Sequence, residues 1–204
     1  MERTHYPAPL ETGAAYDKIA DWFMAGMSES SCGMPFLEEL MAMLPANAHV
    51  LELGCGFGRM TRILLNHGFQ VTGVDASEKM IRLARDYVPD AVLVHGDASV
   101  FCTDESYDAV LAWDSLFHLP LERQRPMMDR ISVLLKPGGV LLMTSGMREG
   151  CASGRMDGVM FHYSTLSQEE YRRIFRQNGI VILKMLQDQA PEEHLVTFAR
   201  KKLY

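Results

Sequence analysis

The chain has 204 residues, 48% hydrophobic and 23% charged, with a formal net charge of -6. That size and balance describe one globular unit with a single buried core and leave no room for a second catalytic domain. The acidic balance argues against nucleic acid as the main partner, since phosphates call for a basic surface, and no apolar run is long enough to span a membrane.

From the N-terminus, Met1 to Pro7 lacks the apolar core of an export signal, so a cytoplasmic location is expected. Cys32, Cys55, Cys102 and Cys151 form no C-x-x-C pair, so neither a zinc site nor a disulfide framework is expected. Helical spacing is read at about Thr12 to Ala25 and Pro35 to Leu44, with a small polar loop from Ser28 to Gly33 between them. Residues 1–46 are expected to form a helical cap or lid, and residues 47–204 one compact unit.

The most informative stretch follows. Val50 to Leu53 is apolar apart from Glu52, and leads into Gly54-Cys55-Gly56-Phe57-Gly58 and then a helical pattern. It reads as a buried strand, a tight turn and a helix N-terminus, where missing Cβ atoms let a ligand approach the backbone. A second apolar run ends in Asp75, 21 residues after Gly54, a spacing that suits a carboxylate on two ribose hydroxyls. A third run, Ala91 to Gly96, ends in Asp97. Parallel strands ending this way line one crevice, and it is an acidic one. Glu52 beside the loop disfavours a pyrophosphate and favours a cationic or zwitterionic adenosine ligand. The dinucleotide pattern G-x-G-x-x-G also fails, because Arg59 stands where its third glycine belongs and Gly58 comes one step early.

Downstream, strands and helices alternate, with helices read at about 57–67, 77–87, 121–135 and 167–177. Ser77 and Ser167 are their starters, the latter in the capping-box pattern Ser167-Gln168-Glu169-Glu170. Arg172, Arg173 and Arg176 read as a solvated helix face. Met147 to Ser164 is glycine-punctuated without clear period and is expected to be the loop that carries substrate specificity. Ile180 to Leu186 and His194 to Arg200, separated by polar Gln187 to Glu193, read as a hairpin. The alternation implies an α/β, doubly wound parallel sheet with right-handed crossovers.

Taken in order, Glu52 to Gly58, Gly73-Val74-Asp75-Ala76-Ser77, Gly96-Asp97-Ala98, Tyr107 to Leu119 and Leu135-Lys136-Pro137-Gly138-Gly139-Val140-Leu141-Leu142 resemble the motifs of the class I S-adenosylmethionine-dependent methyltransferases, over roughly residues 48 to 145. The resemblance implies a Rossmann-like seven-stranded sheet, mostly parallel, whose last strand enters antiparallel between the fifth and sixth. It also implies S-adenosyl-L-methionine as cofactor, S-adenosyl-L-homocysteine as product, and in-line methyl transfer to an oxygen or nitrogen of a small-molecule acceptor. The N-P-P-Y tetrapeptide of amino-methylating nucleic-acid enzymes is replaced by Trp113-Asp114-Ser115-Leu116. Two other readings stand beside this one: a non-catalytic regulator that binds the same ligands, and a nicotinamide-dependent oxidoreductase, which Arg59 and Glu52 oppose.

Carried onto these positions, the resemblance puts Gly54, Cys55, Gly56 and Gly58 under the cofactor, Asp75 and Ala76 at the ribose, and the Asp97 carboxylate and Ala98 amide at the adenine. Met80 covers the adenine face or fills the core. Trp113 walls the sulfonium or fills the core. Tyr16 reaches the methionine end or packs within its helix. Glu52 orients the methionine amino group or ties the loop's own amides. Arg59 pairs with the cofactor carboxylate or caps a neighbouring strand through a buried ion pair. Cys55 is small enough to pack within the loop. His118, His162 and Tyr163 are the candidate bases, with His118 alternatively a satisfied helix-start histidine and His162 a substrate contact.

Overall fold

The computed structural model describes residues 6–188 and 194–204. The first residues of the Met1 to Pro7 segment and most of the Gln187 to Glu193 connection therefore lie outside the described residues.

Three helices, α1 (Pro9–Asp17), α2 (Ala20–Met27) and α3 (Met34–Ala42), precede the first strand, β1 (His49–Leu53). Alternation follows with α4 (Arg59–Asn66), β2 (Gln70–Asp75), α5 (Glu78–Tyr87), β3 (Val92–His95) and β4 (Tyr107–Ala112). Next come α6 (Leu121–Leu134), β5 (Leu135–Gly146), β6 (Gly150–Met156), β7 (Val159–Thr165), α7 (Gln168–Gln177), β8 (Ile180–Gln187) and β9 (His194–Lys201). Seven strands form one sheet in the order β3-β2-β1-β4-β5-β9-β8. The β3-β2-β1-β4-β5 part is parallel, and β9 runs antiparallel between β5 and β8, as the resemblance implies. Strand order reverses beside β1, the topological switch point at which open α/β sheets hold ligands.

Strand side chains alternate between faces, and both faces are covered. Leu51, Leu53, Val110, Leu141 and Met143 pack against Met127 and Ile131 of α6 and Ile174 and Phe175 of α7. Val50, Ala109, Leu111, Val140 and Leu142 pack on the other side with Leu37 and Leu40 of α3 and Met60 and Leu64 of α4. Coverage on both sides explains why these strands read as continuous apolar runs. It also fixes Glu52, in phase with Val50, on the α4 side. Ser77 caps α5 by accepting from the Met80 amide, and Ser167 caps α7 by accepting from the Glu170 amide.

Two sequence expectations need correction. The helix read at Thr12 to Ala25 is broken at Lys18 and Ile19, where Ile19 leaves helical geometry at φ -118° and ψ 8°. The break buries Ile19 and Ala20 and frees Asp17, whose Oδ1 accepts from Ser77 Oγ at 2.6 Å and from the Lys79 amide at 2.9 Å. Asp17 thus adds a carboxylate at the N-terminus of α5, the end where a helix favours negative charge.

Residues 147–164 are likewise no irregular loop. Most of the segment folds into the β6-β7 hairpin, with Met156 paired to Val159 across the two-residue turn Asp157-Gly158. Both turn residues have positive φ, 44° and 77°. Asp-Gly is a preferred dipeptide for such a turn, so the signal was present and outweighed by the scattered glycines around it. The three arginines of α7 behave as expected: Arg172 and Arg176 are exposed, and Arg173 pairs with Glu170 on its own helix.

Candidate functional site

The carboxyl ends of β1, β2, β3 and β4 open into a cleft of about 1080 Å³, solvent at its mouth included. Its floor is the glycine loop, tied to β2 by the Gly54 and Cys55 amides, which both donate to the Val74 carbonyl at 2.7 and 3.2 Å. The three glycines answer to three different constraints. At Gly54 (φ 78°) a Cβ would sit 2.3 Å from Cβ of Ser115, whose hydroxyl donates to the Leu53 carbonyl. Gly56 (φ 55°) has nothing within 4 Å of that position and faces open space. Gly58 (φ 91°), expected under the ligand, does not line the cleft: a Cβ there would meet Val88 Cγ2 at 2.6 Å, so it is needed to seat α4 against the end of α5. Cys55 is buried, and its Sγ lies 2.8 Å from where a Cβ on Gly73 would stand. Burial pushes its thiol well above the ordinary range, which suits packing rather than nucleophilic attack.

Asp75 is not a free loop carboxylate. Its Oδ2 accepts from the Gly56 amide at 2.7 Å and its Oδ1 from the Ser77 amide at 2.8 Å, so it joins the glycine loop to the start of α5. Burial pushes its pKa up against the pull of those two amides. A carboxylate offers about four acceptor positions, and two remain for a ligand that presents paired hydroxyls.

Glu52 is almost fully buried, 4% exposed, and its Oε2 accepts from Thr61 Oγ1 of α4 at 2.5 Å. It is therefore tied to a helix hydroxyl rather than to the loop amides. Burial raises its pKa to about 7, although Thr61 and the Arg59 charge oppose the shift. Arg59 does not cap a strand: its Nη1 donates to the Ser30 carbonyl at 3.0 Å and holds the loop between α2 and α3 against the cleft.

At the β3 end, Asp97 accepts from the Ser99 amide at 2.8 Å and pairs with Arg123 of α6 at 2.9 Å. Ala76, Ala98 and Met80 line the same region, Met80 packing with Ala20 and Phe57. Trp113 stacks on Phe36 at 5.6 Å and lines the cleft, and its buried indole nitrogen has no hydrogen-bond partner among the described residues.

Also lining the cleft, Tyr16 of α1 and His118 of the 3-10 turn Leu116–His118 lie 2.9 Å apart, hydroxyl to Nε2. His118 Nδ1 is 2.9 Å from the His162 carbonyl. A carbonyl only accepts, so Nδ1 carries the proton and Nε2 accepts from Tyr16. Burial lowers His118 to about 4, which keeps it neutral. The rings of His162 and Tyr163 do not line the cleft. His162 leans on Tyr6 and serves the site through its carbonyl, while Tyr163 packs on Phe117 and His118.

Several residues had no sequence-level signal strong enough to single them out. Gly13 of α1 touches the β2-α5 turn so closely that a Cβ would stand 2.0 Å from the Ala76 carbonyl oxygen. Asp114 lines the cleft in left-handed geometry (φ 50°), its amide donating to Thr144 Oγ1 at 2.7 Å. A non-glycine residue held there is a strained position of the kind that concentrates at functional sites. Among the described residues no group of three or more His, Cys, Asp or Glu could hold a metal ion, and no helix is long and apolar enough to cross a membrane.

Sheet order, switch-point cleft, a glycine loop open to the cleft at Gly56 and acidic lining define a nucleoside-binding α/β domain that is unsuited to a pyrophosphate. Residues 50–139 match the family described as a methyltransferase domain. The ubiquinone biosynthesis O-methyltransferase of Coxiella burnetii is 34% identical over 102 residues, covering 48% of this chain and 43% of that one. The trans-aconitate 2-methyltransferase of Paracidovorax citrulli is 36% identical over 109 residues, 50% of this chain and 41% of that one. The chain spans less than half the length of these curated relatives. Burkholderia thailandensis 1,6-didemethyltoxoflavin-N1-methyltransferase, solved with 1,6-didemethyltoxoflavin and S-adenosylhomocysteine bound, has the same fold at a TM-score of 0.73 and 22% identity, covering 98% of this chain and 93% of that one. Residues 50–139 are thus a methyltransferase domain, and the fold around them is that of the class I S-adenosylmethionine-dependent methyltransferases.

Proposed function

We propose that this chain is an S-adenosylmethionine-dependent methyltransferase that acts on an oxygen or nitrogen of a small-molecule acceptor. The observation that carries the reading is Asp75, a carboxylate with acceptor positions to spare, held by the Gly56 amide where the loop faces open space, in a cleft also lined by Glu52, Asp97 and Asp114. Such a lining suits a ribose diol and an ammonium group, and repels a pyrophosphate. In this reading Asp75 holds the ribose, Glu52 faces the methionine amino group, Asp97 and the Ala98 amide face the adenine, and Met80 and Trp113 supply apolar walls. Gly58 supports the loop from behind, and Cys55 lines the cleft while packing against Gly73.

S-adenosylmethionine supplies an activated methyl group on a good leaving group, so the protein's work is alignment and exclusion of water. Fixing two reactants in line accounts for about 7–11 kcal/mol of barrier lowering in favourable cases. The N-terminal cap is built for this: Thr12, Gly13, Tyr16, Phe23 and Met27 line the cleft from α1 and α2. Asp17 docks α1 on α5, and Arg59 docks the α2-α3 loop.

The test is transfer itself: purified protein with methyl-tritiated S-adenosylmethionine and a library of small phenols, heterocycles, amines and acids. Label appearing in one acceptor with equimolar S-adenosylhomocysteine supports the proposal. Tight binding of the methyl donor with no transfer to any acceptor would favour the regulatory reading instead.

A further inference from the structure

Tyr16 and His118 face the cleft as one hydrogen-bonded unit. The imidazole is anchored by the His162 carbonyl and offers its lone pair to the Tyr16 hydroxyl. Tyr16 lines the cleft, and its phenol oxygen can still accept a hydrogen bond. Phe161 packs on Tyr16 at 4.6 Å and Tyr163 on His118 at 5.0 Å, so both rings are held in place.

The charges around this pair are acidic. Asp114, from the end of β4, acts on both Tyr16 and His118, and Asp75 acts on Tyr16. The other groups packed against the pair are the neutral rings of Tyr163 and Phe161 from β7, Phe23 from α2 and Phe117 from the 3-10 turn. Among the described residues lining the cleft, Arg59 is the one arginine or lysine, and it is bonded to the Ser30 carbonyl. Asp114 is itself engaged behind the cleft, its Oδ1 3.1 Å from His194 Nδ1 and accepting from Thr144 Oγ1, and His194 does not line the cleft, so an acceptor carboxylate here would meet Asp114 with no lysine or arginine left to face it. A neutral O–H or N–H would meet a hydrogen-bond acceptor.

We propose that the acceptor presents a neutral, protic group, a phenol-type hydroxyl or a ring N–H, and that Tyr16 relays its proton to His118 as the methyl group is transferred. The inference rests on the methyl-transfer reading and names its acceptor class. The bond from acceptor oxygen or nitrogen to the methyl carbon forms, and the sulfur–methyl bond breaks with its electron pair staying on sulfur. The acceptor's proton passes to Tyr16 Oη, and the tyrosine's own proton passes to His118 Nε2. One positive charge leaves sulfur and one arrives on the imidazole, so the charge within the cleft is conserved, and the Asp114 charge acts in favour of the new cation. Tyr16 touches the acceptor and is the catalytic group, with His118 positioning it and holding the proton. The burial that keeps His118 neutral does not disable it, because a methylated hydroxyl, or a methylated ring N–H of the pyrrole or amide type, is a far stronger acid than an imidazolium.

The experiment uses protein labelled with 15N-histidine and saturated with S-adenosylhomocysteine at pH 7.5. Calorimetry of S-adenosylhomocysteine comes first: absence of binding would overturn the methyl-transfer reading, whereas every later outcome bears on the relay alone. His118 is expected as the neutral Nδ1–H tautomer, and Tyr16→Phe is expected to move its Nε2 resonance. Phenol and benzoate then serve as ring-matched probes. Phenol is expected to shift the His118 Nε2 resonance and to bind at least about tenfold more tightly than benzoate, a difference of about 1.4 kcal/mol. A smaller preference, no phenol effect on His118, or the opposite tautomer in the parent protein overturns the inference. The parent protein alone supplies all three readouts, so a poorly folded variant does not rescue it.

Discussion

Replacing Glu52 by glutamine isolates the charge at the centre of the site. The side chain is buried under α4, and glutamine keeps both its shape and an oxygen for the Thr61 hydroxyl. In the fold Glu52 holds its proton up to about pH 7, against an ordinary value of 4.5. The folded chain therefore binds more protons than the unfolded one between those values, and stability falls as pH rises through that window. At about 1.4 kcal/mol per pH unit, the ionised carboxylate costs on the order of 3 kcal/mol above pH 7 and nothing below 4.5. Glu52→Gln removes that penalty. For a chain of this size the gain corresponds to a melting temperature higher by roughly 6–12 °C at pH 8, shrinking toward zero near pH 4.5. Differential scanning calorimetry of parent and variant at pH 5 and pH 8 reads it directly. A variant less stable at pH 8, or a difference independent of pH, would refute the buried-carboxylate argument. The same substitution is expected to weaken S-adenosylmethionine binding, because the charge that is unfavourable in the empty fold is the one that faces the ligand's ammonium group. Proton release on binding to the parent between pH 5 and 7, measured by calorimetry in buffers of different ionisation enthalpy, should vanish in the variant.

Asp75→Ala is expected to weaken S-adenosylmethionine binding more than tenfold and also to cost about 1–3 kcal/mol of stability, since the Gly56 and Ser77 amides lose their acceptor; equal affinity in titrations of both proteins would remove Asp75 from the ribose. Gly58→Ala should destabilise the fold through Val88, and Val88→Ala in the same chain should recover part of the loss. Thermal denaturation of the two single variants and the double variant checks this, and strict additivity would contradict the contact. Gly13→Ala should unseat α1 from the Ala76 turn and lower cofactor affinity more than it lowers the melting temperature, whereas unchanged affinity by titration would show that α1 does not complete the cleft.

The sheet was legible because its strands are covered on both faces and its helices carry strong periodicity and serine caps. Asp75, Glu52 and Asp97 were legible for a related reason: each stands at or beside the carboxyl end of a strand, and the topology brings such ends together. What those carboxylates bond to was not legible. Asp97 meets Arg123, 26 residues away on α6, and Glu52 meets Thr61 across the strand–helix layer, so both pairings depend on packing angles that a linear pattern does not encode. The glycine loop shows the same limit, since Gly54, Gly56 and Gly58 look alike in sequence and differ in what surrounds them. His118 was singled out for its position after the fourth strand, but its state depends on the His162 carbonyl, 44 residues on, which reaches it only because Asp157-Gly158 turns β6 back into β7. The break at Ile19 is not legible because no helix-breaking residue marks it; what accompanies it, Asp17 bonded to Ser77 and Lys79, is a contact across about 60 residues of chain.

The most direct test of the central claim is calorimetric titration of protein stripped of any copurified ligand with S-adenosylmethionine, S-adenosylhomocysteine and NADH. The arrangement of Asp75, Glu52 and the open approach at Gly56 calls for micromolar binding of the first two and none of the third. Binding of NADH in preference to both sulfur ligands would contradict the account and return Asp75 to a nicotinamide dinucleotide.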